Sequence, residues 1–322
     1  MSFTQAAAHK IKQRGKELAF LIILAVFYLV FKDSSADISR IVLTQKTPNN
    51  CAKYKQSCMQ LFKKIRFPDP NSLFNPPLSQ PPDHLLNEFT QNGEMPIVAS
   101  WYINEVYNDS SSKKSKDVPI VTKQDLDYWR ERVRKNETGN YDDTTMQKIM
   151  FKHGSSLKKK TIAVIGTQLV WIEAIAAEAS ASKITTLDYT RKKYEQNDFL
   201  DWQHVNDFLD EAIKHQKIEM FDNAASFSSI EHSGLGRYGD PLNPNGDIEA
   251  VEQVHCMLKP GGLFFLGLPS SQDNSSYIEF NAHRYYGTKR LEKLFENRWT
   301  LLESSEWTTV HRIYLIKKKE MC

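Results

Sequence analysis

Apolar residues in the second half of the chain alternate between short runs and helical stripes. Short apolar runs predict strands within 161–166, 183–188, 221–232 and 258–269. Between the last two runs, Ile248, Val251, Val254 and Leu258 recur at helical spacing, so the order is strand, helix, strand. Such a unit requires a parallel strand pair with a right-handed crossover. The pattern therefore predicts an α/β domain built on a parallel sheet.

The remaining elements extend this alternation. Helices are predicted at Val170–Ala179, Val205–Ile213 and Thr288–Glu296, and further strands at Phe199–Trp202, Trp299–Glu303 and Val310–Lys317. The last two strands follow each other closely, which indicates a C-terminal antiparallel hairpin.

A different pattern marks the N-terminus, where Leu18–Phe31 is an unbroken apolar run. As a helix it would span about 21 Å, short of the roughly 30 Å hydrocarbon core, and the flanking Lys16 and Lys32 could snorkel to lengthen it. The basic residues before the run favour a signal anchor with a cytoplasmic N-terminus. A cleaved signal peptide with Ser34 and Ala36 at the cleavage site is the alternative. A buried core helix is disfavoured because the run has no polar face.

Both leading interpretations place the rest of the chain in the secretory lumen. They predict a single-pass type II membrane protein of the ER or Golgi, or alternatively a secreted protein. Glycosylation sequons begin at Asn108, Asn136 and Asn274.

The cysteines do not settle the compartment. Cys51 and Cys58 lie about 10 Å apart along a helix, too far to bridge unless the segment bends. Cys256 and Cys322 have no evident partner in the sequence, and the spacing matches no zinc site.

Between the anchor and the α/β region the chain is polar and rich in proline. A helix is predicted at Ala52–Ile65, and six prolines fall within 67–82, which therefore forms neither a helix nor a central strand. The expected organisation is a tail and anchor at 1–32, an extended stem at 33–120 and an α/β domain at 121–322. The net charge of +3, spread along the chain, gives no support for nucleic-acid binding.

Two segments also carry a family resemblance. They are Ser228-Ser-Ile-Glu-His-Ser-Gly-Leu-Gly-Arg-Tyr-Gly-Asp-Pro-Leu242 and Asn281-Ala-His-Arg-Tyr-Tyr-Gly287, with Leu258-Lys-Pro-Gly-Gly262 between them. The chain over about 148–322 resembles the nematode domain of unknown function 268 and, more broadly, class I S-adenosylmethionine-dependent methyltransferases. This resemblance implies a Rossmann-like sheet with an antiparallel C-terminal hairpin, and S-adenosylmethionine as cofactor.

The predicted cofactor end lies at the first two strands. Asp188 ends the second strand, twenty-two residues after Gly166, the spacing at which an acid meets a ribose hydroxyl. Ser226 ends the fourth strand and is a third candidate for cofactor binding. The turn after the first strand has only Gly166 where methyltransferases have several glycines, so Gln168 and Trp171 are expected to crowd or reshape it.

The predicted catalytic residues are Glu231 and His232, which follow the fourth strand. His232 could take a proton from a substrate hydroxyl, or the pair could instead fix the glycine-rich loop that follows. In that loop Arg237 and Asp240 are candidates for substrate binding, whereas Asp247 is expected to be a helix N-cap. A second cluster, His283-Arg284-Tyr285, could close the site from the other side or serve the fold.

Asp125 and Asp127 form an Asp-x-Asp pair of the kind that holds a nucleotide sugar in glycosyltransferases. Thr122 three residues before Asp125 favours a capping box instead.

The sequence therefore predicts a membrane-anchored methyltransferase-like protein that acts on a hydroxyl of a small molecule or glycan, with no bound metal. The first alternative is a binding protein that has kept the fold without catalysis. A type II glycosyltransferase or a nicotinamide-dependent enzyme is the third.

Overall fold

The computed structural model describes residues 48–64, 66–67, 77–105, 119–137, 144–195, 197–307 and 310–321. They belong to one compact unit, Thr47–Cys322. The predicted anchor, Leu18–Phe31, lies outside the described residues. Within the described part of the chain, no helix combines the length and the apolar character needed to cross a bilayer.

A seven-stranded sheet forms the centre of this unit. Its strands are β3 (Thr161–Ile165), β4 (Lys183–Asp188), β6 (Leu200–His204), β7 (Phe221–Phe227), β8 (Leu258–Pro269), β11 (Trp299–Ser304) and β12 (His311–Lys318). They are ordered β11-β12-β8-β7-β3-β4-β6. The five strands from β8 to β6 are parallel, whereas β12 pairs antiparallel with β8 and β11 pairs antiparallel with β12. The predicted parallel sheet and C-terminal hairpin are confirmed.

Helices cover both faces of this sheet. They are α1 (Pro48–Lys64), α2 (Asp83–Phe89), α3 (Lys123–Arg134), α4 (Thr145–Lys152), α5 (Gly154–Leu157), α6 (Trp171–Glu178), α7 (Val205–Lys214), α8 (Gly246–Met257) and α9 (Thr288–Phe295). Because side chains alternate along a strand, Phe264 and Leu266 of β8 pack with α1, α7, α8 and α9, whereas Leu263 and Phe265 pack with α3, α4 and α6. The result is a three-layer α/β architecture.

The strand order reverses at β3. The chain moves outward from β3 to β4 and β6, then returns to place β7 on the other side of β3. Ligands of open α/β sheets bind at such a switch point, beyond the carboxyl ends of the strands. The structure therefore directs attention to the loops that follow β3, β4 and β7.

The segment expected to be an extended stem, 33–120, is instead packed against the domain wherever it is described. Helix α1 contributes Tyr54, Cys58, Met59 and Phe62 to the apolar core. Strand β1 (Ile97–Ser100) joins β9 (Tyr277–Phe280) and β10 (His283–Tyr285) in a small sheet, and β2 (Ile120–Val121) pairs with β5 (Lys193–Tyr194) in another. The apolar residues on either side of the proline-rich segment find partners in the domain. The predicted domain boundary at 120 is therefore wrong.

A disulfide joins Cys58 of α1 to Cys256 of α8, with the two Cα atoms 5.6 Å apart. The sequence pattern did not predict it, because the partners are 198 residues apart and only tertiary packing brings the helices together. Cys51, about two helical turns before Cys58, is not bonded to either of the other described cysteines.

Helix α3 begins with the predicted capping box. The Thr122 side chain accepts from the Asp125 amide, and the Asp125 carboxylate accepts from the Thr122 amide. Hydrogen bonds from Thr122 lower the pKa of Asp125. Asp125 is thus committed to the helix start, which removes the support for a nucleotide-sugar site here.

Candidate functional site

A cleft of about 1080 Å³ opens at the switch point of the sheet. The turn after β3, the end of β4 and the loop after β7 contribute to its lining, together with residues from the N-terminal part of the described chain. Among its lining residues are Phe67, Gly166, Asp188, Glu231, His232 and Arg237. Its volume lies at the upper end of the range for small-molecule sites, so it can take a cofactor together with part of an acceptor.

One end of the cleft is organised by Asp188, whose side chain is almost completely buried. Its Oδ2 accepts from the Thr167 amide at 3.0 Å, and its Oδ1 accepts from the Thr190 amide and hydroxyl at 2.8 and 2.6 Å. Burial raises the pKa of Asp188, although these hydrogen bonds oppose the shift. Asp188 therefore joins the turn after β3 to the end of β4.

Gly166 is required by the protein's own packing. Its φ is +63°, and a Cβ there would lie 1.9 Å from the hydroxyl oxygen of Ser229. Gln168 and Trp171 crowd the turn after β3 less than the sequence predicts. Gln168 is exposed, and the Trp171 ring packs edge-on against Phe227 with the ring centroids 5.1 Å apart. The cleft stays open beside Gly166.

Two predicted ligand-binding residues face the interior of the fold. Ser226 is fully buried and its hydroxyl donates to the Ile165 carbonyl at 2.9 Å, within the sheet. Arg284 is also fully buried, and it donates to the Ser233 and Asn243 carbonyls at 2.6 and 3.2 Å. These side chains are used to hold β3 and the glycine-rich loop, so the sequence-based assignment of both to the ligand site is wrong.

Asp247 also differs from its expected role as a helix N-cap. It lies inside the first turn of α8 and forms a fully buried ion cluster with Arg290, Arg284 and the Tyr286 hydroxyl. The two guanidinium groups offset burial and lower the pKa of Asp247 to about 2. The charge of Asp247 is therefore fully compensated inside the protein.

Glu231 also lines the cleft, on a 3₁₀ turn (Ile230–His232) after β7, across β3 from Asp188. Its Oε1 accepts from the Ser228 hydroxyl at 2.6 Å, whereas its buried Oε2 finds no hydrogen-bond partner among the described residues. Burial raises the pKa of Glu231 to about 7. Ser228 has a φ of +51°, a strained value for a residue other than glycine, at the strand end that presents this carboxyl.

His232 is held in one tautomer. Its Nδ1 lies 2.6 Å from the Ala282 carbonyl, which can only accept, so Nδ1 carries the proton and Nε2 is bare. Nε2 lies 3.5 Å from Glu231 Oε1. Burial, with Arg237 nearby, lowers the pKa of His232 to about 3. The imidazole is thus neutral at pH 7, and its bare nitrogen is positioned beside a carboxyl that titrates near neutrality.

The glycine-rich loop is pinned by its own polar side chains. Asp240 Oδ2 accepts from the Gly234 amide at 2.6 Å. Arg237 forms a two-bond ion pair with Glu105, at 3.0 and 3.1 Å. Both loop residues line the cleft, where Glu105 balances the charge of Arg237.

Aromatic rings run along the cleft from one end to the other. Tyr189 stands 4.7 Å from Tyr238, whose ring meets His232 at 5.6 Å. His283 continues the row at 6.1 Å from His232 and 5.0 Å from Tyr285. His283 lines the cleft, with Tyr285 beside it.

Some cleft residues carry no sequence signal of their own. Glu105 and Phe67 come from the segment interpreted as a stem, and Tyr189 is unremarkable apart from its place after Asp188. A single charged or aromatic residue in a polar stretch of sequence gives no indication of the distant loop that its side chain contacts in the fold. Only the position of Tyr189 at a strand end could have marked it.

Residues 159–315 match the family model described as "Caenorhabditis protein of unknown function, DUF268". No curated protein matches the chain.

Solved structures that match include a 1,6-didemethyltoxoflavin-N1-methyltransferase from Burkholderia thailandensis, with bound 1,6-didemethyltoxoflavin and S-adenosylhomocysteine. Its identity is 13%, the alignment covers 63% of this chain and 93% of that chain, and the TM-score is 0.39. Another is the N-methyltransferase NodS from Bradyrhizobium japonicum WM9 in complex with S-adenosylhomocysteine, at 10% identity, 61% and 99% coverage and a TM-score of 0.36. The match over residues 159–315 confirms the resemblance to the DUF268 family that the sequence predicts.

Proposed function

We propose that this protein transfers a methyl group from S-adenosylmethionine to a hydroxyl of a small or glycan acceptor. The observation that carries the proposal is a cleft at the switch point of the sheet that is lined by Asp188 after β4 and by Glu231 and His232 after β7, on either side of β3. A methyl transfer needs its two substrates held in line, and one cleft with polar groups on either side of β3 supports that arrangement.

The residues at the Asp188 end fit the cofactor. The Asp188 carboxylate has about four lone-pair sites and uses three of them within the protein, which leaves one for a ribose hydroxyl. The bound cofactor would supply an electrophilic methyl group on a sulfonium.

After β7, Glu231 and His232 would handle the proton of the acceptor. His232 Nε2 is bare and so accepts a hydrogen bond from the acceptor hydroxyl. When that proton moves to Nε2, the positive charge on the ring is stabilised by ionised Glu231, 3.5 Å away. A carboxyl with a pKa near 7 is ionised often enough at neutral pH to serve this role.

A non-catalytic binding protein is the second candidate, and specific contacts favour it. Ser229 takes the space over Gly166, and the turn uses three of the four acceptor sites on Asp188. These contacts leave fewer groups free for a cofactor.

Incubation of the full-length protein with methyl-labelled S-adenosylmethionine and a set of glycans or small alcohols separates the two candidates. Transfer of label that is lost in Glu231→Gln supports the enzyme. Binding of S-adenosylmethionine without transfer to any acceptor supports the second candidate.

We further propose that the domain lies in the secretory lumen, behind the anchor at Leu18–Phe31. The Cys58–Cys256 disulfide supports this location, because structural disulfides persist mainly in oxidising compartments. Asn274, the residue that would carry a glycan, is exposed in the described structure. Endoglycosidase treatment should lower the apparent mass of the wild-type protein. Asn274→Gln should reduce that shift, whereas protease access to the domain in intact microsomes would contradict the topology.

A further inference from the structure

One side of the cleft comes from chain that lies outside the DUF268 match. Helix α1 ends at Lys64, and Arg66 and Phe67 lie at the cleft beside the end of β4. The Phe67 ring stacks on Tyr189 with centroids 5.7 Å apart and planes inclined by 24°. Tyr189 directly follows Asp188, so Phe67 covers the same end of the cleft as the carboxylate.

The Arg66–Phe67 segment is fastened to the start of α7. Asn206 accepts from the Phe67 amide at 3.2 Å and donates to the Phe67 carbonyl at 2.8 Å. Arg66 pairs with Asp210 at 2.8 Å and donates to the Asn206 carbonyl at 3.2 Å. Apart from the stack on Tyr189, these contacts are polar and partly exposed, so by themselves they are weak.

The stronger attachment is further back on α1. Cys58 is bonded to Cys256 of α8, and both residues are buried. Cys58 stands six residues before Lys64, or about 9 Å along the helix. The covalent bond therefore fixes the part of α1 that leads directly to the cleft, and Lys64 adds an ion pair with Glu249 of α8 at 2.5 Å.

We propose that Phe67 is a ligand-contacting wall of the cleft and that the Cys58–Cys256 disulfide holds it in place. The disulfide then supports binding as well as stability, because without it the wall must be ordered at each binding event. This inference rests on the proposed function only in the choice of S-adenosylhomocysteine as the ligand for the binding test.

The test compares binding of S-adenosylhomocysteine to full-length variants by calorimetry. Cys58→Ser and Cys256→Ser should each weaken binding on the order of tenfold, as expected when a preorganised wall becomes mobile. The double variant should be no weaker than either single one, because all three lose the same bond. Cys51→Ser is the matched control: it changes a cysteine on the same helix that lies outside this bond, and it should bind like the wild type.

Phe67→Ala separates the wall from the disulfide. It leaves the Cys58–Cys256 bond intact, so it should fold like the wild type and still show the loss in affinity. Wild-type affinity in both Phe67→Ala and Cys58→Ser would overturn the proposal.

If the wild type does not bind S-adenosylhomocysteine, the proposed function fails and amide hydrogen exchange decides this inference. The Phe67 amide donates to Asn206, and the Thr190 amide donates to Asp188. Faster exchange at both amides in Cys58→Ser, but not in Cys51→Ser, supports the disulfide as the holder of the wall. Equal exchange rates in all three proteins overturn it.

Discussion

Asp247 and Glu231 are both completely shielded from solvent, but the protein treats their charges in opposite ways. Asp247 faces two guanidinium groups and the Tyr286 hydroxyl, and its pKa is lowered to about 2. Glu231 receives a hydrogen bond from Ser228 on one oxygen, and its pKa is raised to about 7. Its second oxygen meets no partner in the described structure.

This difference separates a structural carboxylate from a candidate for chemistry. A satisfied buried charge is fixed in one protonation state and so holds α8 against α9 and the glycine-rich loop. An unsatisfied one can exchange a proton near neutral pH, and perturbed carboxyls of this kind in a cleft are candidates for function. Arg284 and His232 differ in the same way. Arg284 donates its hydrogen bonds to backbone carbonyls, whereas Nε2 of His232 carries no proton and can accept one.

The largest expected effect is on the structural side. Asp247→Ala should reduce the free energy of unfolding by about 3–5 kcal/mol, because Arg290 is left as a buried charge without its partner. Chemical denaturation measures the loss. The control is Asp127→Ala, which removes a half-exposed carboxylate. It should change the free energy of unfolding by less than about 0.5 kcal/mol. Similar losses in both variants would remove the distinction.

On the chemical side, Glu231→Gln should lower the rate of methyl transfer by about 100- to 1000-fold, since the amide cannot stabilise a charged His232. Binding of S-adenosylhomocysteine should be unchanged, because Glu231 follows β7, on the opposite side of β3 from Asp188. Single-turnover kinetics with labelled cofactor measure the rate. A rate within about twofold of the wild type would assign Glu231 to the fold.

Glu173 is a useful comparison with Glu231, because burial raises its pKa in the same way although it does not line the cleft. It is fully buried, it accepts from Thr186 at 2.8 Å, and burial raises its pKa from 4.5 to about 7. At a pH between these two pKa values, the folded protein holds a proton on Glu173 that the unfolded chain has released. This proton stabilises the folded state at low pH, and the stabilisation is lost as the pH rises through about 7.

Glu173→Gln should remove that pH dependence. Relative to the wild type, its free energy of unfolding should rise by about 2–3 kcal/mol between about pH 5 and about pH 8. Methyl transfer should be unaffected. A flat difference between the two proteins across this range would show that Glu173 is not protonated in the folded state.

The smallest effect concerns Asp188. Asp188→Ala should weaken binding of S-adenosylmethionine by about 1–3 kcal/mol, the value of a hydrogen bond to a charged group. Thr190→Val is the control for the turn itself: it removes one hydroxyl that donates to Asp188 but leaves the carboxylate. Calorimetry that gives wild-type affinity for folded Asp188→Ala would remove Asp188 from the cofactor site.

The sheet could be predicted from sequence because each strand carries its own apolar signal. Lys183–Asp188 is found as predicted, and so is the position of Glu231 and His232 after β7. What the pattern misses is pairing over long distances. Cys58 with Cys256 and Glu105 with Arg237 are brought together only by tertiary packing, and periodicity contains no information about it. Arg284 and Ser226 were misassigned because polarity alone does not show whether a side chain serves a ligand or a buried carbonyl.

The most direct measurement is a crystal structure of the protein grown with S-adenosylhomocysteine. The account predicts the ligand in the cleft at the switch point, with a ribose hydroxyl within hydrogen-bond distance of Asp188 and the sulfur directed toward His232. A ligand whose sulfur faces away from Glu231 and His232, or a cleft that stays empty at saturating ligand, would contradict it.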